Sequence, residues 1–453
     1  MATNIEKLII SHNKDAQNRK MVAFYDRKST MEKMGIARSE TAHSAFLANL
    51  LKSDNGLGLE ESAIMWLLHI LIEREDNATA YNSTSSKSPI PTDVKAAVLS
   101  QTLKYDIEEI TTEKVIDDVA HSYFAVNYKG KKCDDRLDIY IKLKVNGLSV
   151  KYLEIVIENK VLQDENGPKS KNSSGYDSLF QTQRYYTACS YNKSSVTAQL
   201  FVFLTPDEVE EETKAKDKHF IQISYQDVLD TIIIPQLDNN MLTSNERQEL
   251  ENYVDALNLP TLDIQAKKRI VMAMTKEART DKQTYLKKNK ELIINVIKAK
   301  EKEASNSSSL TQEEQILVSF ADKRKNLFAA HGMDFDTFDK SKKYFVFITD
   351  GATYRIAHLC TADVAVNFAK LYYKYNSGPS IGQLNNDFAN VKPNIFSVCN
   401  VQKNNTNSAL YVKIANGVYF PKNIWANNYF NKLLTMIDIT NNVSKDFKYE
   451  VIK

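Results

Sequence analysis

The chain has few cysteines and no long apolar run. Its four cysteines, Cys133, Cys189, Cys360 and Cys399, lie far apart in 453 residues and form neither a Cys-x-x-Cys motif nor a Cys/His cluster. This spacing argues against a zinc site or a disulfide framework and is typical of a reducing cytosol. No apolar run is long enough to cross a bilayer, and residues 1–10 do not resemble a signal peptide. We therefore expect a cytoplasmic protein with no membrane partner.

The chain also lacks a strong net charge, but its charges are unevenly spread. The formal net charge is +2. Residues 265–303 carry 12 Lys/Arg against 5 Asp/Glu, and residues 304–453 carry 17 against 12, so these two segments hold +7 and +5. Residues 1–264 must then hold about −10, which is +2 minus 12. The basic back half either holds a polyanion such as nucleic acid or is simply a solvated surface.

In residues 1–264 the spacing of apolar residues changes from a helical period to a period of two, so we predict an α/β domain. Ser39 is a predicted N-cap, and the apolar spacing that follows it is helical. Helices are predicted at residues 40–52, 61–74, 93–103, 176–192 and 225–237. Two-residue alternation predicts four strands, in HSYFAVNY (121–128), RLDIYIKLKV (136–145), KYLEIVIENKV (151–161) and AQLFVFLTP (198–206).

The back half is predicted to contain two further parts. Residues 265–310 form a basic helical connector without Gly or Pro, which ends in the Ser-rich linker SNSSSL. Residues 311–453 form a smaller α+β domain. Aromatic residues are frequent there beside basic ones, which favours either base stacking on a nucleic acid or an ordinary small core.

The charged end of one predicted strand suggests a catalytic or metal-binding site. In residues 152–160, Glu158 and Lys160 share one face, opposite to the aliphatic face. In the preceding strand Asp138 lies on the face opposite to the one that we predict for Leu137, Ile139 and Ile141. Asn146-Gly147 predicts a hairpin between the strands. A strict two-residue turn would pair Asp138 with Ile155, whereas a loop a few residues longer would place Asp138 opposite Glu158.

In both pairings Asp138, Glu158 and Lys160 lie near one end of the hairpin. Two close carboxylates repel unless a cation lies between them, and a hard divalent cation such as Mg²⁺ prefers oxygen ligands. The lysine could then help to deprotonate an attacking water or stabilise developing negative charge. The alternative is a solvent-facing network of surface charges. The nearly continuous apolar strands nearby favour a sheet that is covered on both faces. A charged side chain inside such a sheet is costly, so its presence there suggests a function.

Four segments together resemble one bacterial branch of the PD-(D/E)XK nuclease superfamily. In the family's order, between residues 39 and 186, they match its Glu-x-x-His-Ser helix, its R-(I/L)-D strand, its I-E-N-K strand and its Q-x-x-R-Y helix. The segments are SETAHSAFLANLLKSDNGLG (39–58), DDRLDIYI (134–141), IVIENKV (155–161) and QTQRYY (181–186). The resemblance implies a restriction-endonuclease-like mixed central sheet flanked by helices over residues 1–264.

The resemblance also implies roles for individual residues. Asp138 and Glu158 would hold Mg²⁺, for which Mn²⁺ can substitute, with the backbone carbonyl of Asn159 as a further ligand. Lys160 would be the catalytic lysine. Glu40 would complete the metal site, although an acid in the first turn is also simply favourable for the helix dipole. Gln181 would lie beside the sheet and face the substrate or the lysine.

Other positions stay open or depart from the family pattern. His43 and Ser44 lie on the same side of the helix as Glu40, and His43 is either a hydrogen-bonding residue or a ligand. Arg184 and Tyr185 face either phosphate or the core. Leu137 stands where the family name has Pro. The polar segment 163–175 is longer than in related sequences, and we expect a flexible loop at the mouth of the site.

The first functional hypothesis is a Mg²⁺-dependent endonuclease that hydrolyses phosphodiester bonds, in DNA rather than RNA, with bacterial defence as a setting suggested by analogy. Cutting both strands would ordinarily need two active sites, which a homodimer would supply. One alternative is a non-catalytic nucleic-acid-binding or interaction protein that retains the fold. Another is a metal-dependent phosphoesterase acting on nucleotides or RNA.

Overall fold

The structure is a computed structural model of the chain. It describes residues 3–57, 59, 62–79, 89–128, 133–161, 165–169, 175–191, 194–206, 215–238, 241–263, 268–305, 309–335, 345–358, 362–391, 411–415, 418–421, 429–442 and 447–452. Within these ranges no helix is long and apolar enough to cross a membrane.

The elements described up to residue 99 are helices. They are α1 (Asn4–Lys14), α2 (Ala16–Asp26), α3 (Thr30–Lys33), α4 (Glu40–Leu50), α5 (Ser62–Thr79) and α6 (Thr92–Leu99). The elements of the central sheet and its cover follow: β1 (Tyr105–Val115), α7 (Ile116–Val119), α8 (His121–Asn127), β2 (Arg136–Val145), β3 (Tyr152–Asn159), α9 (Gln181–Cys189), β4 (Thr197–Thr205), β5 (Phe220–Ser224), α10 (Tyr225–Val228), α11 (Ile234–Leu237) and α12 (Ser244–Asn258). A 3₁₀ turn (Gly175–Ser178) precedes α9, and a π-helical turn (Leu229–Ile233) joins α10 to α11.

Smaller elements complete the chain. They are β6 (Thr261–Asp263), β7 (Lys268–Ile270), α13 (Lys276–Lys288), α14 (Lys290–Ser305), α15 (Gln312–Asp322), α16 (Lys325–Ala330), β8 (Phe345–Asp350), β9 (Thr353–His358), α17 (Ala362–Tyr375), α18 (Ile381–Asp387), β10 (Tyr411–Ala415), β11 (Val418–Pro421), α19 (Tyr429–Asn441) and β12 (Phe447–Ile452).

The chain divides into two compact units. One unit is residues 27–276, and the other combines residues 1–26 with residues 277–453. These limits differ from the three-part division at residues 264 and 310 drawn from the sequence, which stays a prediction. Most of the linker SNSSSL lies outside the described residues.

A five-stranded mixed sheet forms the centre of the unit of residues 27–276. The strand order is β1-β2-β3-β4-β5. The β1–β2 and β2–β3 pairs are antiparallel, whereas β3–β4 and β4–β5 are parallel. Helix α9 makes the crossover between the parallel strands β3 and β4, as parallel pairing requires. The predicted α/β fold with a mixed sheet and flanking helices is confirmed.

Helices cover both faces of this sheet, so its strands are buried on two sides. Aliphatic residues of one face, among them Ile141, Ile155 and Leu200, pack with α4, α5, α6 and α12. The other face carries Tyr140, Val156 and Phe203, which pack with α7, α8 and α9. This double cover explains why strands β3 and β4 are nearly continuous apolar runs.

One predicted strand is a helix, two strands of the central sheet escaped prediction, and the predicted helical connector of residues 265–310 contains the short strand β7 before its helices. Residues 121–128, which we expected to be a strand, contain α8 instead. The aromatic residues of this segment alternate as in a strand. However, the adjacent Tyr123 and Phe124 both pack on Tyr176, and their ring centroids lie 5.8 and 5.4 Å from that of Tyr176, respectively. The prediction missed β1, whose charged residues dilute its alternation, and β5, which is only five residues long.

The other unit has its own core. Its three-stranded antiparallel sheet has the order β12-β8-β9, and helices α17 and α19 pack on it. Phe345, Phe347 and Phe420 are fully buried, so these aromatic residues belong to a core and do not offer stacking surfaces. Tyr344, Phe396 and Trp425, which the same interpretation included, lie outside the described residues.

Candidate active site

The hairpin of β2 and β3 places Asp138 directly opposite Glu158. The last paired residues are Ile139 and Ile157, and the same register continued by one residue pairs Asp138 with Glu158. The turn is the longer one, because Val145 pairs with Lys151 through a backbone hydrogen bond. Side chains directly opposite on antiparallel strands are neighbours. The structure therefore has the second of the two pairings that the sequence left open.

Glu158 is a fully buried carboxylate with an ion pair to Lys160. Its exposed fraction is 0%. The Lys160 Nζ atom lies 2.6 Å from Glu158 Oε1, whereas Glu158 Oε2 has no hydrogen-bond partner among the described residues. Burial raises the pKa of Glu158 well above its ordinary value, and the Asp138 carboxylate raises it further. Such a group is costly unless something positive compensates it.

Asp138 lies in the same environment, where burial disfavours the charged form of a carboxyl group. The Asn159 N–H donates a 2.7 Å hydrogen bond to Asp138 Oδ2, at the point where the paired residues of β2 and β3 end. Burial raises the pKa of Asp138 to about 6, although Lys160 and the Asn159 N–H act in the opposite direction. The carboxylate is therefore poorly compensated in the structure as it stands.

Lys160 is the cation nearest to both acids. It is 4% exposed, and its Nζ lies 3.4 Å from Glu40 Oε2 in addition to the contact with Glu158. Burial by itself lowers the pKa of Lys160, but Glu158 and Glu40 outweigh this effect and raise the pKa above its ordinary value. The upward shifts differ in their main cause: burial raises the pKa values of the two acids, whereas the neighbouring carboxylates raise the pKa of the lysine.

Glu40 reaches the cluster from the first turn of α4. The predicted N-cap is confirmed, since Ser39 Oγ accepts a 3.3 Å hydrogen bond from the Ala42 N–H. Glu40 Oε1 also accepts a 3.4 Å hydrogen bond from the Val161 N–H, just beyond β3. Its side chain remains 29% exposed, so Glu40 lies at the open side of the cluster.

Asn159 ties the end of β3 to two helices through its side chain. Its Nδ2 donates to the Glu40 carbonyl oxygen at 3.2 Å and to Ser44 Oγ at 3.0 Å. Its Oδ1 accepts a 2.7 Å hydrogen bond from the Tyr225 hydroxyl on α10. Asn159 is completely buried, so this network holds α4, and with it Glu40, against the strand that carries Glu158 and Lys160.

His43 does not contact the acidic cluster through any of its hydrogen bonds. Its Nε2 lies 2.9 Å from the Ala37 carbonyl oxygen and its Nδ1 lies 3.1 Å from the Tyr253 hydroxyl. The carbonyl can only accept, so Nε2 carries the proton and Nδ1 accepts from the tyrosine. Burial lowers the pKa of His43 to about 4. Of the two open roles, these contacts support the hydrogen-bonding one.

Gln181 begins α9, beside the sheet as expected, but its amide has protein partners. Gln181 Oε1 accepts a 2.9 Å hydrogen bond from Asn166 Nδ2, and Gln181 Nε2 donates to the Tyr185 hydroxyl at 2.7 Å. The Tyr185 hydroxyl in turn donates to the Arg136 carbonyl oxygen. Burial raises the pKa of Tyr185 well above its ordinary value. Tyr185 thus faces the core, and Gln181 is a neighbour of the site without a bond to its acids.

Arg184 also has an internal partner. Its Nε donates to Asp135 Oδ2 at 2.9 Å, and its Nη1 donates to the carbonyl oxygens of Leu179 at 2.9 Å and Gly167 at 3.3 Å. Arg184 is 4% exposed. The structure therefore gives this arginine a core role, in which it joins the start of β2 to α9 and to the polar segment before it.

The described part of that polar segment is anchored. Glu165 Oε1 accepts hydrogen bonds from the Thr182 N–H and Oγ1, both at 2.6 Å, and Glu165 Oε2 accepts from the Lys216 N–H at 2.6 Å. These hydrogen bonds join residue 165 to the start of α9, and the flexible loop expected for the segment stays a prediction. Residues 163–164 and 170–174 lie outside the described residues.

Comparison with family models identifies the chain. The family model described as PD-(D/E)XK nuclease superfamily matches residues 30–322, which is more than half of the chain. The chain belongs to the PD-(D/E)XK nuclease superfamily. Neither the curated proteins nor the solved structures compared with it give a significant match. The predicted family is thus confirmed, and its match extends beyond residues 39–186 into α15.

Membership of the PD-(D/E)XK superfamily indicates a nuclease-type function and raises the question of a divalent cation, which nucleases of this superfamily generally use. The buried Glu158 Oε2, which has no hydrogen-bond partner among the described residues and lies opposite Asp138, fits such an ion. Within the described residues, however, no three His, Cys, Asp or Glu side chains lie together as a ready metal site. The acidic side chains would therefore have to turn toward a cation in order to bind it.

The structure thus brings together Asp138, Glu158, Lys160, Glu40 and Asn159, and it leaves Gln181 at the margin. Their roles in this PD-(D/E)XK protein stay predictions. Sequence reasoning missed Tyr225, the partner of Asn159, and Asp135, the partner of Arg184, because nothing in the local pattern distinguishes them from other surface or core residues. The prediction that Leu137 shares a face with Ile139 is wrong, because Leu137 packs in the cluster that contains Tyr140, whereas Ile139 packs on the opposite face.

Proposed function

We propose that the protein is a metal-dependent nuclease that hydrolyses phosphodiester bonds in DNA. The observation that carries this proposal is the fully buried Glu158 carboxylate, which lies opposite Asp138 and whose Oε2 has no hydrogen-bond partner among the described residues. A fold has no reason to bury such a pair for stability, because replacing it with apolar residues would cost less. A site that must receive a cation does have a reason.

Each residue of the cluster would have its own role in catalysis. Asp138, Glu158 and the Asn159 backbone carbonyl would hold Mg²⁺ or Mn²⁺, with Glu40 at the open side. A cation bound there would polarise a phosphoryl oxygen and make a water more acidic. Lys160, freed from its contact with Glu158, would place its ammonium group beside the negative charge that develops on the phosphate. Asn159 would maintain the distance between Glu40 and the strand through its three side-chain hydrogen bonds.

DNA as the substrate, bacterial defence as the setting, a homodimer and a cytoplasmic location rest on analogy with the superfamily. The basic surplus of +7 in residues 265–303 supports a polyanionic substrate in general. The intact set of two acids and a lysine favours catalysis over a binding-only role.

The test is cleavage of supercoiled plasmid, single-stranded DNA and RNA by the purified full chain with Mg²⁺, Mn²⁺ or EDTA. We expect plasmid nicking or linearisation that EDTA abolishes. Lys160→Met should reduce the rate by about 10²–10⁴-fold. Lys142→Met is the matched control, because this lysine of β2 pairs with Glu108 on the surface and should leave the rate unchanged. Activity that survives both Lys160→Met and Asp138→Asn would refute the assigned chemistry.

A further inference from the structure

Tyr225 contacts the end of β3 from two strands away. It is the first residue of α10, directly after Ser224 ends β5. Strands β3, β4 and β5 run parallel, so their carboxyl ends lie at the same edge of the sheet. Asn159 pairs with Leu204, and Leu204 pairs with Ile223, two residues before Tyr225. The sheet thus brings Tyr225 within reach of Asn159 across the end of β4.

The Tyr225 hydroxyl has a role that its ring does not need. Tyr225 is fully buried and packs with the aliphatic residues of this face, where a phenylalanine ring would fill the same space. Its hydroxyl donates a 2.7 Å hydrogen bond to the Oδ1 atom of Asn159, which is also fully buried. A buried amide oxygen that loses its donor is costly. The hydroxyl therefore serves Asn159 rather than the packing of the core.

Asn159 connects Tyr225 to the acids on both sides. Its backbone N–H donates a 2.7 Å hydrogen bond to Asp138 Oδ2. Its Nδ2 donates to the Glu40 carbonyl oxygen at 3.2 Å and to Ser44 Oγ at 3.0 Å. Because the Glu40 carbonyl can only accept, Nδ2 faces α4 and Oδ1 faces the tyrosine. The Asn159 amide is therefore a bridge between the tyrosine hydroxyl and the first turn of α4.

The Glu40 carboxylate depends on this bridge for its position. Its Oε2 lies 3.4 Å from Lys160 Nζ, and its Oε1 accepts from the Val161 N–H at 3.4 Å. Both distances exceed those of an ordinary N–H···O hydrogen bond, so a small movement of α4 away from β3 would break these contacts. The Glu40 side chain is also 29% exposed, so packing restrains it little. The backbone of α4 is what places this carboxylate.

We propose that Tyr225 is a positioning residue of the active site, which holds the Glu40 carboxylate beside the other acids through Asn159. This proposal rests on the proposed function, because the position of Glu40 matters for activity only if Glu40 acts on a cation there. Without the hydroxyl, Asn159 Oδ1 is left buried without its donor, and the amide turns away from the Glu40 carbonyl to find another. The first turn of α4 is then released from the strand.

Mn²⁺ binding to the full chain, measured by calorimetry and by the spin-resonance signal of free Mn²⁺, tests the proposal without an activity assay. Tyr225→Phe should weaken Mn²⁺ binding by about 10–100-fold, as outer partners of metal sites do when they are replaced. Tyr253→Phe is the matched control. Tyr253 is as buried as Tyr225, and the two rings lie 5.5 and 5.6 Å from that of His43, but the Tyr253 hydroxyl bonds to His43. Both variants should lower the urea midpoint by similar amounts, whereas Tyr253→Phe should bind Mn²⁺ as the wild type does.

Combining Tyr225→Phe with Glu40→Gln separates positioning from a general loosening of the fold. If the tyrosine acts through Glu40, the double variant should bind Mn²⁺ as weakly as Glu40→Gln alone, because the charge to be positioned is already absent. Losses that multiply in the double variant, or wild-type affinity in either single variant, would overturn the proposal. If Asp138→Asn also binds Mn²⁺ normally, the metal site is wrong and the role of Tyr225 is wrong with it. If Asp138→Asn loses binding while Tyr225→Phe keeps it, only the role of Tyr225 is wrong.

Discussion

Replacing Asp138 with Asn should stabilise the cation-free protein. Burial is the main reason that the pKa of Asp138 rises from its ordinary value of 3.8 to about 6. A tenfold change in proton affinity is worth about 1.4 kcal/mol, so at pH 7 this rise costs the fold about 3 kcal/mol. Asparagine removes the charge and keeps an oxygen that can accept from the Asn159 N–H. We expect a gain of up to about 3 kcal/mol in unfolding free energy.

The gain in unfolding free energy from Asp138→Asn should decrease as the pH falls. The folded pKa of Asp138 lies above the unfolded one, so the cost is full above about pH 6 and disappears as the pH falls toward 3.8. His43 acts in the opposite sense, because burial lowers its pKa from 6.5 to about 4 and stability is lost as the pH falls through that window. The difference between wild type and variant cancels the histidine contribution. It should be large at pH 7.5 and small at pH 4.

The assay is urea denaturation followed by circular dichroism, in EDTA. Asp106→Asn, an exposed acid on β1, is the control and should change stability little. Added Mg²⁺ should stabilise the wild type but not Asp138→Asn, since a ligand of the folded state raises stability only where it binds. An Asp138→Asn protein that unfolds at the same urea concentration as the wild type at pH 7.5, or at a lower one, would refute the electrostatic reasoning.

Three further substitutions test the supports of the site by urea denaturation. Asn159→Ala removes three buried side-chain hydrogen bonds and should cost about 3 kcal/mol; a loss below about 1 kcal/mol would contradict the network. Tyr253→Phe removes the donor to His43 and should cost about 1 kcal/mol without changing Mn²⁺ affinity, which would shift only if His43 acted on the cation. Asp135→Ala leaves Arg184 buried without its carboxylate and should cost about 3–5 kcal/mol, and an unchanged midpoint would show that water replaces the pair.

Much of the site was predictable because strands obey a strict alternation. Glu158 and Lys160 had to share a face, and Asp138 had to lie near them in any hairpin closed by Asn146-Gly147. Local signals also sufficed for Ser39 as an N-cap. The exact partner of Asp138 was not predictable, because it depends on how residues 146–150 close the turn, and several closures are compatible with Asn-Gly.

The parts that sequence reasoning missed depend on tertiary contacts or on backbone angles. Tyr123 and Phe124 are prone to form strands, yet their packing against Tyr176 belongs to a helix. Arg184 has the chemistry of a phosphate ligand, but Asp135, 49 positions earlier in the chain, takes its guanidinium. Glu113 in β1 has a left-handed φ of 54°, which no sequence pattern indicates, since the usual residues at such an angle are Gly, Asn or Asp.

The two faces of β3 have a consequence for folding. A slip of one residue against β2 would turn Glu158 and Lys160 into the aliphatic layer shared with α5 and bring Ile157 to the acids. Two charges enclosed there would cost several kcal/mol each, comparable to the whole stability of a domain. The same acid and amine that we assign to chemistry therefore penalise the misaligned hairpin. A variant with neutral residues in place of Glu158 and Lys160 would lose this penalty on the misaligned hairpin together with its activity.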